Sequence, residues 1–225
     1  MTQKQYIYHR EFSENTVGRD FVVGDIHGNY TGLCEKLEAR DFDVQRDRLF
    51  AVGDLIDRGT ENLEVLRLLE TPWFYSCFGN HEDMFIGRFV DCDAYDAGMH
   101  KRHGGKWADD LAADVIEECV SLVLGLPWAM TLVTAKGTVG IVHSEVKHED
   151  WGKQQAIAKP WYQCLWNNSK IRAHSQGFVD DVKGIDVVVS GHMAVTSPLR
   201  IGNHWFIDTF YRSNELTVMA VDELF

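Results

Sequence analysis

The chain has 225 residues, a length that fits one domain, and its 45% hydrophobic and 25% charged content is ordinary for a globular protein. Its formal net charge of −12 argues against a nucleic-acid partner, because phosphate backbones are held by clustered Lys and Arg. The 5 cysteines include no Cys-x-x-Cys pair, which favours reduced thiols and a cytoplasmic location over a disulfide framework. No apolar stretch is long enough to cross a bilayer, so we expect a single domain over 1–225 without a membrane partner.

Short runs of apolar residues recur along the chain, and each run ends at a glycine or polar turn. They cover residues 21–23, 49–52, 73–78, 140–142, 187–189 and 205–207. Nearly continuous apolar runs of this length are typical of buried strands. Leucines at helical spacing in 31–40 and 61–70 lie between the first three runs, which predicts parallel strands joined by helical crossovers. The segment 91–123 is predicted to be mostly helical, and the whole pattern favours an α/β fold with two sheets.

Side chains that can bind metal ions follow five of these runs. Asp25 and His27 come after the first run, in a turn that we expect to be extended. The others are Asp54, Asn80, His143 and His192. Ligands of open α/β sheets gather at the carboxyl ends of strands, so we expect these six side chains to converge. Mixed oxygen and nitrogen donors suit Mn, Fe or Zn, and six ligands fit two ions that share a carboxylate, with Asp54 as the candidate bridge.

The residues beside these ligands suggest hydrolysis of a phosphate ester. Two metal ions that share a site activate a water molecule for attack on phosphorus, so no Ser or Cys nucleophile is needed. Arg58, in a glycine-bounded loop, is predicted to bind phosphate oxygens. His81 is predicted to protonate the leaving group, and Asp57 to orient His81. Taken alone, each of these short motifs is more typical of an ordinary turn than of a metal site. Because they all follow buried strands, we interpret them together as one metal site.

Three motifs carry a resemblance to a known family. They are Gly24-Asp25-Ile26-His27-Gly28, Gly53-Asp54-Leu55-Ile56-Asp57-Arg58-Gly59 and Gly79-Asn80-His81-Glu82. This set resembles the signature of phosphoprotein phosphatases within the calcineurin-like metallophosphoesterases, and the chain is similar to the phage lambda-type and bacterial members. The resemblance implies a β-sandwich of two mixed sheets flanked by helices, and two divalent ions, usually Mn²⁺. It also implies that phosphoserine and phosphothreonine proteins are the substrates.

The family's motif assigns a role to each candidate residue. By this resemblance one metal would be held by Asp25, His27 and Asp54, and the other by Asp54, Asn80, His143 and His192. His81 would be the acid paired with Asp57, and phosphate would be bound by Arg58 together with Asn80 and His81. All of these positions match the family's pattern, so activity is expected.

Three segments depart from the family's pattern, and one of them is His143-Ser144-Glu145, which replaces His-Ala-Asp. The pattern has a second phosphate-binding Arg shortly after a Trp-Asn pair, whereas Trp166-Asn167 is followed here by Asn168. Arg172 is the candidate replacement. Phe210 and Tyr211 stand where small residues are usual, which places two rings near the predicted site and makes the substrate preference a separate question.

Two alternative functions share the same motifs. One is a symmetrical diadenosine polyphosphate hydrolase, and the other is an inactive binding module that keeps the fold. The remaining histidines are interpreted as surface or locally packed residues; they are His9, His100, His103, His148, His174 and His204.

Overall fold

The computed structural model describes residues 6–146, 150–152 and 162–225, so His148 lies outside the described residues. The strands are β1 (Arg10–Phe12), β2 (Asp20–Val23), β3 (Arg48–Ala51), β4 (Phe74–Ser76), β5 (Ala129–Thr134), β6 (Gly137–Val142), β7 (Val187–Ser190), β8 (Leu199–Ile201), β9 (His204–Phe206) and β10 (Val218–Ala220). The α-helices are α1 (Tyr30–Glu38), α2 (Asn62–Arg67), α3 (Asn80–Phe89), α4 (Ala94–Arg102), α5 (Ala113–Leu124), α6 (Tyr162–Trp166), α7 (Ser169–His174) and α8 (Phe210–Ser213). Short 3-10 helices cover Leu68–Glu70, Gly105–Ala108 and Val221–Leu224.

The smaller sheet has the strand order β10-β2-β3-β4. Strand β3 pairs parallel with both β2 and β4, and α1 and α2 form the two crossovers, as the spacing of the leucines predicts. Helix α1 buries Leu33 and Leu37 against this sheet, because residues four apart lie on one face of a helix. Strand β10 pairs antiparallel with β2 and makes the sheet mixed.

The larger sheet has the strand order β1-β5-β6-β7-β9-β8 and is also mixed. Strand β6 pairs parallel with β7, and β7 pairs parallel with β9. The pairs β5–β6 and β8–β9 are antiparallel, and the edge strand β1 pairs parallel with β5. Strands β6 and β7 therefore point their carboxyl ends the same way, and each ends just before a predicted ligand.

Alternating side chains of the two sheets build the layers of the molecule. Val22 and Phe50 of the smaller sheet pack with Met130, Ile141 and Val189 of the larger sheet in one buried cluster. The opposite face of the smaller sheet packs against helices α1, α2 and α3, and a third cluster covers the outside of the larger sheet. This arrangement confirms the predicted α/β sandwich of two mixed sheets flanked by helices.

Local sequence explains the remaining differences from the predicted elements. The helical segment 91–123 is divided into α4 and α5, because Gly104 adopts a φ of 110° that a helix does not allow. The run 73–78 gives only the short strand β4, and the next two residues bond through their N–H groups to Ala51 O and Pro127 O while their side chains pack in the cores. Within the described part of the chain, no helix has the length and apolar character that a membrane crossing requires.

Candidate dinuclear metal site

The structure brings the six candidate ligands together at one end of the two sheets. Asp25 and His27 follow β2, Asp54 follows β3, and Asn80 follows β4 as the first residue of α3. His143 and His192 follow β6 and β7 of the larger sheet. Five of the six side chains are at most 3% exposed, and His192 is partly buried. The site therefore lies in the seam between the sheets, where strand ends from both meet.

Several site residues hold a left-handed backbone. The φ angles of His27, Asp54, Asp57, Arg58 and His192 are 48°, 50°, 75°, 67° and 61°. The expectation of an extended turn at His27 is therefore wrong, because the chain has to reverse there to aim the imidazole back toward Asp54. Such a backbone costs about 1–3 kcal/mol for each non-glycine residue and persists only where the surroundings fix it.

Asp54 lies between two groups of donor atoms. On one side, its Oδ2 atom is 3.8 Å from His27 Nε2, and Asp25 Oδ2 is 4.0 Å from the same nitrogen. On the other side, its Oδ1 atom is 3.3 Å from His143 Nε2. Asn80 Oδ1 completes the second group at 2.8 Å from nitrogen atoms of both His143 and His192. These distances place Asp54 between the two groups, and its role as a bridging ligand stays a prediction.

The donor chemistry of these groups fits cations. His143 Nδ1 donates to Val52 O at 3.1 Å, and burial lowers the pKa of His143, so its ring is neutral and Nε2 keeps a lone pair. Burial favours the neutral form of Asp54, but its attraction to any proton held by His143 or His81, and the hydrogen bond from the His81 backbone N–H, hold the pKa of Asp54 below its usual range. A bare nitrogen and an ionised oxygen that face each other at 3.3 Å are both electron-pair donors. Two such donors facing each other are the arrangement that would hold a metal ion.

His27 has the same tautomer for the same reason. Its Nδ1 atom donates to Ile56 O at 3.0 Å, which leaves a lone pair on Nε2, and Arg58 Nη1 donates to that nitrogen at 2.8 Å. Burial, followed by the charge of His81, lowers the pKa of His27 to about 3. A hydrogen bond to the backbone that fixes a ligating imidazole is usual in metal sites.

Asp208 is a site residue that the sequence analysis did not list. It is 2% exposed, and its Oδ1 atom has no hydrogen-bond partner among the described residues. Burial and the carboxylate of Asp54 raise the pKa of Asp208 to about 6, and burial raises that of Asp25 well above its usual value. Such an excess of buried carboxylates again fits bound cations. The available signal was its position directly after the run 205–207.

His81 differs from the other imidazoles in its charge. Its Nδ1 atom donates to Asp57 Oδ2 at 2.6 Å, and Nε2 lies 3.8 Å from Asp54 Oδ2. Burial lowers the pKa of His81, but Asp54 and Asp57 together outweigh burial and raise it. Because its pKa is raised, Nε2, which lies 3.2 Å from Arg58 Nη2, takes up a proton more readily than an ordinary imidazole nitrogen, and this suits a proton donor better than a ligand. His81 also lies close enough to His27 and Asp54 to be a metal ligand with them. Its raised pKa is what favours the role of proton donor over that of ligand.

The second oxygen of Asp57 has partners that the sequence analysis missed. Asp57 Oδ1 accepts from His100 Nε2 at 3.0 Å and from Trp107 Nε1 at 2.7 Å. His100 is completely buried, so its interpretation as a surface or packing residue overlooked a contact with the site. The signal in the sequence was the pair Gly104-Gly105, which allows this segment to approach the loop of Asp57 closely.

Arg58 lies at the solvent-exposed mouth of the site. Its Nη1 atom is 2.8 Å from His27 Nε2, and its Nη2 atom is 3.2 Å from His81 Nε2. The guanidinium carbon is 5.3 Å from the ring centroid of Tyr211, which is 68% exposed. The structure therefore places Tyr211 next to the predicted phosphate-binding group.

Arg172 is not brought into contact with the ligands. It is exposed on α7, one turn beyond Asn168, and within the described residues its side chain has no hydrogen bond to the site. The preceding segment does reach the site, because the ring of Trp166 lies 6.0 Å from that of His192. A phosphate-binding role for Arg172 stays a prediction.

Two buried polar side chains brace the loops that carry the ligands. Glu82 Oε2 accepts from Asp54 N and Gly79 N, and its Oε1 atom accepts from Leu55 N, each at 2.9 Å. Asn62 Oδ1 accepts from Asp57 N at 2.7 Å. These bonds satisfy backbone groups that the left-handed turns leave without strand partners.

The two-sheet sandwich and its paired donor groups define a metallophosphoesterase. A family model described as calcineurin-like phosphoesterase matches residues 21–196, and the chain belongs to this family, whose members use a centre of two divalent metal ions. It is 36% identical to serine/threonine-protein phosphatase 2 of Salmonella typhimurium over 194 residues, which cover 84% of this chain and 86% of that protein.

Two further comparisons concern nucleotide hydrolases. The chain is 29% identical to the symmetrical bis(5'-nucleosyl)-tetraphosphatase of Methylococcus capsulatus over 141 residues, which cover 62% of this chain and 47% of that protein. The crystal structure of a putative diadenosine tetraphosphatase has a TM-score of 0.61 at 19% identity and covers 96% of this chain and 98% of that one. At this level of identity the structural match concerns the fold alone.

Proposed function

We propose that this protein hydrolyses phosphomonoesters of serine and threonine in proteins, with two bound divalent metal ions. The observation that carries the proposal is the His81–Asp57 pair, 2.6 Å apart, beside two donor groups that share Asp54. A serine or threonine alkoxide is a poor leaving group and needs a proton, which a protonated His81 supplies. The names of the full-length relatives support the same substrate class.

The metal ligands are proposed to be those with neutral imidazoles, ionised carboxylates or a side-chain amide at the seam between the sheets. One ion takes Asp25, His27 and Asp54, and the other takes Asp54, Asn80, His143 and His192. Mn²⁺ fits this mixed donor set, with Fe and Zn as alternatives. When bound, the ions supply an activated water and neutralise charge on the phosphate.

The remaining side chains bind the substrate and move the proton. Arg58 pairs its planar guanidinium with phosphate oxygens at the mouth of the site, backed by Asn80 and His81. His81 Nε2 then gives its proton to the oxygen that leaves, while Asp57 holds the ring through Nδ1. Arg172 is proposed as a second phosphate-binding group that acts when α7 lies against a bound substrate.

Replacing His81 by Asn tests this assignment. With a phosphoserine peptide and added Mn²⁺, we expect kcat to fall by about 10²–10⁴-fold, because general acid catalysis has that size. Metal content, measured by elemental analysis, should stay at the wild-type level. Loss of metal together with activity would mean that His81 is a ligand and would refute its role as the acid.

Arg58 is tested with a matched pair of variants. Arg58→Ala removes the guanidinium, whereas Arg58→Lys keeps the positive charge without the planar fork. We expect both to raise KM for the phosphopeptide and the inhibition constant of orthophosphate, with the larger rise for Ala. Equal kinetics in wild type and both variants would place Arg58 outside the phosphate site.

The same assay decides between the candidate activities. Purified protein with Mn²⁺ is given a phosphoserine peptide, p-nitrophenyl phosphate and diadenosine tetraphosphate at equal concentrations. The proposal predicts the highest kcat/KM for the peptide relative to the dinucleotide. Preference for the dinucleotide would favour the tetraphosphatase, and no turnover of any of the three would favour the inactive binding module.

A further inference from the structure

Asp57 is held from two directions. Its carboxylate is completely buried, with Oδ2 accepting from His81 Nδ1 at 2.6 Å. Oδ1 accepts from His100 Nε2 at 3.0 Å and from Trp107 Nε1 at 2.7 Å. The Asp57 backbone N–H is also bonded, to Asn62 Oδ1 at 2.7 Å. Both carboxylate oxygens therefore have donors, which fixes the plane of the group.

Arg88 determines which nitrogen of His100 carries the hydrogen. Arg88 Nη1 lies 3.3 Å from His100 Nδ1 and 3.0 Å from Gly105 O, and a guanidinium can only donate. His100 Nδ1 therefore accepts, and Nε2 carries the hydrogen that points at Asp57. The tautomer follows from the network, with Arg88 itself held by an ion pair to Asp109.

The surrounding segment is shaped to keep these two donors in place. A Cβ atom on Gly105 would lie 2.3 Å from His100 Nε2, and one on Gly104 would lie 2.4 Å from Arg58 N. Only glycines let this turn pack so closely on the ring and on the loop of Asp57. Phe85 stacks on Trp107 with an interplanar angle of 7° and meets His100 edge to face.

We propose that His100 and Trp107 are positioning residues that hold Asp57 in the orientation that aligns His81 for proton transfer. A carboxylate with a single partner can rotate about its Cβ–Cγ bond and let the His81 ring turn. Two donors on Oδ1 remove that freedom, so Oδ2 stays directed at His81 Nδ1. This inference rests on the proposed function, because it requires His81 to be the acid.

Leaving-group dependence separates this role from a merely structural one. A nitrophenolate leaves without a proton, whereas a serine alkoxide needs one, so a defect in His81 alignment slows the second reaction selectively. We expect His100→Phe to lower kcat on a phosphoserine peptide by about 10–100-fold, the usual cost of losing such a supporting contact. On p-nitrophenyl phosphate its kcat should change much less, with metal content unchanged.

Three further variants make the test specific. His100→Gln keeps an N–H donor, so it should recover much of the peptide activity. Trp107→Phe keeps the ring against Phe85 and removes only the indole N–H, so it should give a smaller loss with the same substrate selectivity; it also serves if His100→Phe does not fold. His9→Phe is the control, because it removes a histidine hydrogen bond of 2.8 Å to Thr131 Oγ1 beside the edge strand β1, away from the site. It should change the turnover of both substrates by the same factor.

Combining His100→Phe with Asp57→Asn tests whether His100 acts through Asp57. If His100 acts through Asp57, the double variant should be no slower on the peptide than Asp57→Asn alone. Equal losses on both substrates, or an additive loss in the double variant, would overturn the inference. Wild type that hydrolyses neither substrate would instead overturn the proposed function. Normal selectivity in His100→Phe beside a selective loss in His81→Asn would overturn only the positioning role.

Discussion

Asn62 offers a direct test of how the loop of Asp57 and Arg58 is stabilised. It is the first residue of α2 and is 2% exposed, and its side chain turns back toward that loop. Its Oδ1 atom accepts from Asp57 N at 2.7 Å, and its Nδ2 atom donates to Gly59 O at 2.9 Å. Replacing Asn62 by Ala removes both bonds and leaves two backbone groups without partners.

The cost follows from the burial of those two groups. The Asp57 N–H is buried and cannot regain water, so leaving it unpaired costs about 1–3 kcal/mol. The Gly59 carbonyl is only partly buried, and its loss costs about 0.5–1.5 kcal/mol. We therefore expect Asn62→Ala to lower the free energy of unfolding by about 1.5–4.5 kcal/mol. A typical domain has about 5–15 kcal/mol, so the variant should remain folded at room temperature.

Activity should fall together with stability in this variant. Asp57 and Arg58 have φ angles of 75° and 67°, and such a backbone relaxes when its braces are removed. We expect Asn62→Ala to lower kcat on a phosphoserine peptide and to raise the inhibition constant of orthophosphate, because the two residues share one loop. Both quantities are measured at a temperature well below the unfolding midpoint.

The control lies on the same helix. Glu64 is exposed in the first turn of α2, and Glu64→Ala should stay within about 0.5 kcal/mol of wild type. Urea unfolding followed by tryptophan fluorescence, with a chelator present, gives the free energies without a contribution from bound metal. If Asn62→Ala unfolds at the wild-type urea concentration and keeps its kinetics, the loop does not depend on this brace and the reasoning fails.

Three further predictions concern the substrate, acid stability and metal. Tyr211→Ala should weaken orthophosphate inhibition by about 2–5-fold, because a cation–π contact at an exposed site is worth about 0.5–1 kcal/mol; unchanged inhibition would show that the ring does not support Arg58. Burial opposes ionisation of Asp47, but hydrogen bonds from Arg19 hold its pKa below the usual value. The stabilisation that ionised Asp47 provides is therefore present above the pKa that Asp47 has in the unfolded chain. It is lost as pH falls through the lower pKa of the folded protein. The difference in free energy of unfolding between wild type and Arg19→Ala, measured by urea unfolding, should therefore shrink at low pH. Removing metal with a chelator should lower Tm, and added Mn²⁺ should restore it. At a Mn²⁺ concentration one hundred times Kd, the free energy of unfolding should rise by about 2.7 kcal/mol. A Tm that does not change with Mn²⁺ would argue against a metal centre.

The candidate metal ligands are the part of the site that is most directly readable in the sequence. Each follows a short apolar run, and strand ends that carry polar residues meet at one edge when the strands are parallel. The sequence also indicated Asp54 as the bridge, and the structure places its two oxygens toward different donor groups. The convergence of these side chains is readable because strand, turn and candidate ligand are adjacent in the chain, and their binding of metal stays a prediction.

The supporting residues needed the tertiary structure. His100 and Trp107 reach Asp57 across 43 and 50 residues of sequence, and no spacing rule connects them. The sequence predicts only that their segment is mostly helical. Its contact with the site depends on how α4 packs on α3 and on the approach that Gly104 and Gly105 permit.

The chain by itself thus determined the α/β sandwich, the convergence of six candidate ligands and the His81–Asp57 contact, because each is encoded by residues next to a buried strand. Only the folded structure decided which imidazoles are neutral, that Asp208 joins the site, and that Asp57 is held from both sides. Those properties depend on burial, on hydrogen-bond direction and on distances between segments far apart in sequence. Local sequence patterns do not encode burial, hydrogen-bond direction or distances between distant segments.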